Sequence, residues 1–267
     1  METSMDMHAY ADSAGIRAMQ EFELNTARAA LGEMHPKTLL AKNNLGVTLR
    51  RLGCLPQARE LLESALKDCR RVWGKKHPNT MMAMNNLAVA LNDEGNAQKA
   101  LALLTAVVKW RRRTLGEEHV NTLAAMVSLA VTLNALDAHE AAQELESKVL
   151  KVRQRDLGDD HPATLEAMGN LGSTINNIAV ALRNEGNLED AEPLQFEALA
   201  MVVKAFGAND LVTACVYSAT GALLKLKGDV AQALTYFNLA LEIRERELGA
   251  GDKLTQLVRA RLIEMLH

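Results

Sequence analysis

The chain has 267 residues, with 30 basic and 33 acidic side chains and a formal net charge of −3 at pH 7. Because the charge is nearly balanced, it gives no reason to expect binding to nucleic acid or to an anionic membrane. Apolar residues make up 48% of the chain but aromatic residues only 3%. The core must therefore consist mainly of Ala, Leu, Val and Met, which suits helix packing and argues against a β-sandwich or barrel.

The first residues and the cysteines bear on the cellular compartment. Residues 1–13 are polar and acidic, without the apolar segment of a signal peptide. No apolar run approaches the roughly 18 residues of a membrane helix. Cys54, Cys69 and Cys215 form no CxxC pair, and any disulfide pairing leaves one of them over. We therefore expect a reduced, cytoplasmic protein.

One phrase recurs along the chain: a glycine, two variable residues, a histidine and, three residues later, a threonine. The histidine returns every 42 residues, at His35, His77, His119 and His161. Two weaker copies carry an aspartate in its place, Asp210 and Asp252. A fixed period of this length predicts an α-solenoid, in which each unit is a pair of antiparallel helices that stacks on the next.

This period organises the chain as a single solenoid over residues 1–267. Residues 1 to about 12 are expected to be irregular. A half repeat, a second helix alone, is expected at residues 14–31, and a lone first helix at residues 252–267. Five full repeats are expected between them, at residues 35–74, 77–116, 119–158, 161–207 and 210–249.

The periodic histidines invite a metal-binding interpretation, but their spacing argues against it. One solenoid step separates neighbours, roughly 10 Å by helix-packing distance, which is too far to share an ion. Each histidine instead precedes a predicted helix start, where histidine and aspartate can both accept a hydrogen bond from a free backbone N–H. We therefore predict helix caps, with no metal and no other cofactor.

The fourth repeat is seven residues longer than its siblings. Counting forward from His161 and back from Gly186 gives two alignments, so residues 169–175 look duplicated inside one helix. Seven residues turn an α-helix by about 700°, about 20° short of two turns, so the apolar face is almost preserved. We predict a continuous first helix, two turns longer, that projects from the array. The alternative is a break between Gly169 and Thr174, where glycines and a Ser-Thr-Ile run weaken helicity.

The residues within each unit resemble a known family. A Leu-Gly or Leu-Ala pair lies in the first helix, and Ala-x3-bulky-x2-small lies in the second, as in Ala233, Phe237 and Ala240. This pattern resembles the tetratricopeptide repeat (TPR). The 42-residue period, the Leu-Gly-x2-His-Pro-x-Thr junction and the Asn-Asn-Leu-Ala phrase resemble the kinesin light chain subclass. The resemblance covers roughly residues 14–267 and implies an all-α, right-handed α-solenoid of stacked antiparallel helix pairs.

The resemblance also implies that the first helices line a concave groove that holds an extended peptide. Asparagine is not favoured in mid-helix, but its amide can donate to and accept from a peptide backbone. The predicted groove has a first row and, one turn on, a second row: Asn43, Asn44, Asn85, Asn86, Asn176 and Asn177, then Arg50, Asn92, Asn134 and Arg183. The arginines are expected to pair with acidic side chains or a C-terminal carboxylate. The alternative is that one asparagine of each pair bonds between adjacent repeats and only stabilises the stack.

A basic cluster surrounds Trp110, with Lys109 before it and three arginines after it. Related basic residues recur in the last turns of the other second helices, where positive charge complements the helix dipole. We interpret the cluster as structural and expect no nucleic-acid partner. An anionic partner on the outer face is the alternative.

Together these patterns predict a scaffold that binds a peptide or partner protein in its groove. An enzyme is not expected, because the sequence has no nucleophile elbow, phosphate loop, HExxH or paired catalytic carboxylates. Two alternatives remain open. The array is the sensor part of a larger signalling or transcription-regulating ATPase, or it is an assembly module that forms homo-oligomers through its terminal helices. No membrane partner is expected.

Overall fold

The computed structural model describes the backbone of residues 4–266 and the side chains of residues 15–265. This part of the chain is α-helical with short turns and contains no strand, so the predicted all-α class is confirmed. Within it, no helix combines the length and the apolar character required to span a bilayer. The helices are α1 (Ser4–Leu31), α2 (Pro36–Arg51), α3 (Leu55–Trp73), α4 (Pro78–Asp93), α5 (Ala97–Thr114), α6 (Val120–Asn134), α7 (His139–Leu157), α8 (Pro162–Asn184), α9 (Leu188–Phe206), α10 (Leu211–Lys227), α11 (Val230–Leu248) and α12 (Lys253–Leu266).

Helix α1 begins at Ser4, so the prediction of irregular structure up to about residue 12 is wrong for residues 4–12. Residues 1–3 lie outside the described residues. No glycine or proline occurs before Gly15, and the alanines and methionines there favour a helix. Further along, Leu24 is buried in one cluster with Leu45 and other residues of α2. Helix α1 therefore packs on α2 as the second helix of a repeat would.

The chain divides into two compact units, Met1–Leu136 and Asp137–His267. In the N-terminal unit, helices α1 to α6 pack in chain order, and the first helices α2, α4 and α6 also contact one another in turn. In the C-terminal unit, α7 to α12 pack in chain order, and the first helices α8 and α10 are in contact. We call the surface that neighbouring first helices form within one unit its first-helix face.

The predicted helix caps are confirmed. In four repeats the histidine Nδ1 accepts a hydrogen bond from the backbone N–H two residues later, at 3.1–3.2 Å, at His35, His77, His119 and His161. The Asp210 carboxylate accepts from the N–H of Val212 at 2.7 Å, and Asp252 accepts from that of Leu254 at 2.9 Å. Among the described residues, no three His, Cys, Asp or Glu side chains are grouped as ligands for a metal ion.

The threonine of the recurring phrase fixes the glycine turn that precedes it. The hydroxyl donates to the carbonyl oxygen of the glycine six residues earlier, at 2.7–2.8 Å, from Thr38, Thr80, Thr122 and Thr213. Those glycines have φ between 83° and 97°, a conformation that favours glycine over residues with a side chain. Glycine and threonine are thus parts of one connection between repeats, which explains why they recur together.

Small residues let the two helices of a repeat approach each other closely. A Cβ added to Gly46 would lie 2.6 Å from Cγ of Leu62, and one added to Gly221 would lie 3.1 Å from Cγ of Phe237. Both large side chains are fully buried. Because such interiors are close-packed, there is no room at these glycines for a larger residue without displacing the second helix or its side chain.

The long first helix predicted for the fourth repeat is confirmed. Helix α8 is uninterrupted over 23 residues, against 16 in α2, so the alternative of a break does not occur. The two glycines of residues 169–175 face α9. A Cβ on Gly169 would lie 2.3 Å from Cζ of Phe206, and a Cβ on Gly172 would lie 2.9 Å from Cγ2 of Val202. The glycines therefore serve close packing of α9.

The first two turns of α8 pack against α7 and do not project freely. Phe206, opposite Gly169, is the last residue of α9, so the turns before Gly169 extend past that helix. Their residue Met168 is nevertheless buried. Arg153 of α7 donates to the carbonyl oxygen of Ala163 at 2.6 Å and forms an ion pair with Glu166 at 3.1 Å.

Candidate functional site

The predicted groove residues lie on the first helices, and in the N-terminal unit the two asparagines of a pair have different surroundings. Asn43 is buried, whereas Asn44, the next residue of α2, is exposed. The amide Nδ2 of Asn86 in α4 donates to Oδ1 of Asn43 at 3.1 Å. This bond links neighbouring repeats, as the structural alternative requires for one asparagine of a pair.

In the C-terminal unit, Asn176 is held by a buried glutamine. The Nε2 of Gln195 in α9 donates to Oδ1 of Asn176 at 3.0 Å and to Oγ1 of Thr220 in α10 at 3.2 Å. Gln195 is fully buried and occupies the register at which the sibling repeats carry Leu62, Leu104 and Phe237. The sequence analysis missed this link between the first helices α8 and α10, although a polar residue at a position that is apolar in sibling repeats could have indicated it.

The amides of Asn44 and Asn177 form no hydrogen bond within the part of the chain that the structure describes. Asn44 is exposed and Asn177 is half-buried. Asn86 shares their register but uses its Nδ2 toward Asn43. Asn85 is half-buried, and its Oδ1 is buried without a partner among the described residues. Asn44, Asn86 and Asn177 retain donors or acceptors that a peptide backbone can satisfy, whereas the unpartnered oxygen of Asn85 is buried.

The second row of predicted groove residues makes bonds between first helices. Arg50 of α2 forms an ion pair with Asp93 of α4 at 2.7 Å, and Asn92 of α4 donates to Oγ1 of Thr132 in α6 at 2.7 Å. In the C-terminal unit, Arg183 of α8 donates to the carbonyl oxygen of Ala219 in α10 at 3.5 Å. The remaining member of the row, Asn134, is half-buried. Arg50 and Asn92 thus serve the stack, whereas Arg183 forms no ion pair with any acidic side chain that the structure describes.

A second arginine lies near Arg183. Burial, and next the charge of Arg261 on α12, lower the pKa of the Arg183 guanidinium. Neither arginine forms an ion pair with a carboxylate among the described residues. Arg261 falls in the register of Asn177 when the 42-residue period is continued through Ala219, so the period alone would have pointed to it. Two guanidinium groups that repel each other and form no ion pair with a described carboxylate have donors available for an anionic group.

The basic cluster around Trp110 is used for connections between helices. Arg111 donates to the carbonyl oxygen of Asn121 at 2.6 Å, and burial lowers the pKa of its guanidinium. Arg153 binds the carbonyl of Ala163 in the same way one repeat later. These bonds tie the end of a second helix to the start of the next first helix, which agrees with a structural role for the cluster.

The sequence profile of the tetratricopeptide repeat matches residues 37–108, 80–155 and 173–246, which together cover more than half of the chain. The chain belongs to the tetratricopeptide repeat family. The resemblance from which the TPR fold was predicted is thereby confirmed. None of the curated proteins compared with this TPR chain matches it.

Solved structures with the same fold include a kinesin light chain-type protein of Podosopora anserina with nearly identical TPR-like repeats. It shares 23% identity and a TM-score of 0.59, over 79% of this chain and 97% of its own. BtubC (BKLC) from P. vanneervenii shares 19% identity and a TM-score of 0.61, over 89% and 92%. The apo form of the quorum sensor NprR from B. thuringiensis shares 13% and 0.64, over 96% and 66%. Their fold agrees with the kinesin light chain-like form predicted from the 42-residue TPR period.

Proposed function

We propose that this TPR chain is a protein-interaction scaffold whose first-helix faces bind an extended peptide segment of a partner. The observation that carries the proposal is the set of unsatisfied amides in one register, on Asn44 and Asn177, with the remaining acceptor of Asn86. Each amide can donate to a peptide carbonyl and accept from a peptide N–H. Because the amides stand on packed helices, little receptor entropy is lost when a peptide binds.

The C-terminal unit favours a segment that carries a carboxylate. Arg183 and Arg261 are neighbouring cations without an acidic partner among the described residues. A guanidinium can bind a carboxylate through two parallel hydrogen bonds, and a carboxylate between the two arginines would relieve their mutual repulsion. The partner segment therefore carries either an acidic side chain or a C-terminal carboxylate that binds the two arginines. The backbone next to that carboxylate lies within reach of the Asn177 amide.

We also propose that the scaffold lies in the cytoplasm and has no catalytic activity. All three cysteines are free thiols, which supports a reducing compartment. The sensor alternative is favoured by the similarity in fold to NprR, which is described as a quorum sensor. A sensor would use the same first-helix faces to bind its effector.

Self-association through the ends is the second candidate function. It is favoured by exposed apolar side chains on both terminal helices, Met19 and Phe22 on α1 and Leu254, Leu257 and Ile263 on α12. Large exposed apolar patches mark interaction sites. A sedimentation coefficient that rises with concentration, and falls when Phe22 and Ile263 are replaced by serine, would favour assembly over peptide binding.

Replacing Asn44, Asn86 and Asn177 together by alanine is expected to weaken peptide binding while leaving the helix content unchanged. If each amide contributes about 0.5–1.5 kcal/mol, the triple variant should bind at least about tenfold more weakly. The probe is a peptide selected from a randomised display library against the wild-type chain, with affinity measured by calorimetry. A matched control replaces Asn121 and Asn209, which are exposed and lie outside the helices' first-row register.

Two different results would contradict binding of the peptide at these asparagines. If circular dichroism shows the triple variant unfolded, the asparagines are structural. If it folds and binds the selected peptides as tightly as the control variant, the peptides occupy another surface.

A further inference from the structure

A buried arginine of the C-terminal unit points its guanidinium at an exposed cysteine. The Nη2 of Arg244 in α11 donates to Sγ of Cys215 in α10 at 3.2 Å. Arg244 is only 5% exposed, whereas the thiol of Cys215 belongs to an exposed residue. The cysteine is therefore accessible to a small reagent, and the cation beside it is not accessible to solvent.

Arg244 has no anion of its own. Among the described residues it forms no ion pair with a carboxylate, and its Nε is buried without a hydrogen-bond partner. The adjacent acids are engaged elsewhere, Glu245 with Arg259 and Glu247 with Arg246. A buried charge without a partner is costly, and the hydrogen bond that this guanidinium makes among the described residues is the one to Cys215 Sγ, so it would stabilise an anionic product formed on that sulfur.

A second unsatisfied group lies close by. Ser218 is 7% exposed, and its hydroxyl is buried without a partner among the described residues. It stands three residues after Cys215 on α10, and residues at this spacing are neighbours on a helix surface. The Ser218 hydroxyl is thus an unused hydrogen-bonding group one helical turn from Cys215, and the Arg244 guanidinium is the group in contact with Sγ.

The other two cysteines lack this arrangement. Cys54 has Nη1 of Arg17 at 4.0 Å from its Sγ, but Arg17 is paired with Glu21 at 2.8 Å. Cys69 is 2% exposed, and burial raises the pKa of its thiol to about 11. A buried thiol of this kind is inert toward electrophiles.

We propose that Cys215 is an oxidation site at which Arg244 holds the anionic product. In the first step Sγ attacks a hydroperoxide: an S–O bond forms, the O–O bond breaks, and the thiol proton leaves with the departing oxygen as water or alcohol. Sulfur loses two electrons and the peroxide gains them, which leaves a sulfenic acid. A second hydroperoxide converts this to sulfinate in the same way. The sulfinate oxygens carry the negative charge that Arg244 lacks and accept its N–H donors.

The rate of oxidation tests the part that Arg244 plays. The full chain is treated with hydrogen peroxide, and sulfenic and sulfinic forms of each cysteine are quantified by mass spectrometry with a sulfenic-acid trap. Arg244→Met is expected to slow oxidation of Cys215 by about tenfold, whereas Arg246→Met, which removes a neighbouring exposed cation, should leave it unchanged. An unchanged rate in Arg244→Met would show that exposure alone determines the reactivity and would overturn the proposal.

The stability of a sulfinate mimic tests the product state without an oxidant. Cys215→Asp is expected to melt about 2–4 °C above Cys215→Asn, because only the aspartate supplies an anion to the guanidinium. In the Arg244→Met background the difference should vanish. Equal melting temperatures for the two variants in the presence of Arg244 would contradict the assigned role of the arginine.

Discussion

Replacing Phe237 by alanine is expected to lower the free energy of unfolding by about 3–5 kcal/mol. Phe237 is fully buried and belongs to a core cluster that α11 shares with α10 and α12. Its ring lies against Gly221, where even a Cβ would be only 3.1 Å from Cγ of the ring. Since Gly221 opposite the ring has no side chain to fill the space, alanine leaves a cavity between the helices. Urea denaturation followed by circular dichroism measures the loss.

The control for this prediction is Leu239→Ala in the same helix. Leu239 is 38% exposed, so its truncation is expected to change the free energy of unfolding by less than about 1 kcal/mol. A second comparison uses Gly221→Ala, which should lower the free energy of unfolding of the wild type. In the Phe237→Ala background the decrease should be smaller, because the added methyl group can occupy space that the ring has left. Equal urea midpoints for Phe237→Ala and Leu239→Ala would refute the packing of the Phe237 ring against Gly221.

The protein is expected to lose up to about 3 kcal/mol of stability as the pH rises from 4.5 to 8, because of Glu146. This residue is 2% exposed, and its Oε2 is buried without a partner among the described residues. Burial raises the pKa of Glu146 from an ordinary value near 4.5 to about 7, and a hydrogen bond with Thr174 opposes that shift only in part.

The direction follows from proton binding in the two states. In the unfolded chain the carboxyl ionises near pH 4.5, whereas in the folded protein it keeps its proton up to about pH 7. Between these values the folded state binds more protons, so the free energy of unfolding falls as the pH rises. The stabilising contribution is therefore fully present below pH 4.5 and is lost as the pH passes through 7.

Chemical denaturation at a series of pH values measures this slope. Glu146→Gln is expected to remove it, since the amide does not titrate, whereas Glu197→Gln, a change at an exposed residue of α9, should keep it. Other titrating groups are common to all three proteins and cancel in the comparison. A slope that persists unchanged in Glu146→Gln would show that another group is responsible.

The sequence predicted the features that repeat. The 42-residue period located the helix pairs, and the exchange of His for Asp before helix starts identified the caps that His35 and Asp210 form. Because seven residues fall only about 20° short of two full helical turns, the inserted segment keeps the apolar face in place, and this predicted that α8 would be continuous. These predictions succeed because they depend on helix geometry, which is local and the same in every repeat.

The features that do not repeat were missed. Gln195 and Glu146 stand where sibling repeats have leucine or phenylalanine, and their role depends on partners in another helix, Thr220 and Thr174. The hydrogen bond between Arg244 and Cys215 could not be predicted from the sequence, because the two residues lie on different helices and no repeating pattern relates them.

The predicted groove illustrates both cases. The first-row register was found by the period, but the period does not say which asparagine of a pair faces the neighbouring repeat. Asn43 and Asn176 turned out to accept hydrogen bonds from Asn86 and Gln195, while Asn44 and Asn177 did not. That distinction depends on rotation of each helix about its axis, which neighbouring helices determine.

The most direct measurement of peptide binding at the first-helix faces is site-specific photo-crosslinking to a library-selected peptide. A benzophenone amino acid is placed in turn at Asn44 and Asn177, and for comparison at Glu60 and Glu197, exposed positions on the second helices α3 and α9. Proposed binding at the first-helix faces predicts crosslinks from position 44 or 177 and none from 60 or 197. Crosslinks that form only from the second-helix positions would contradict it.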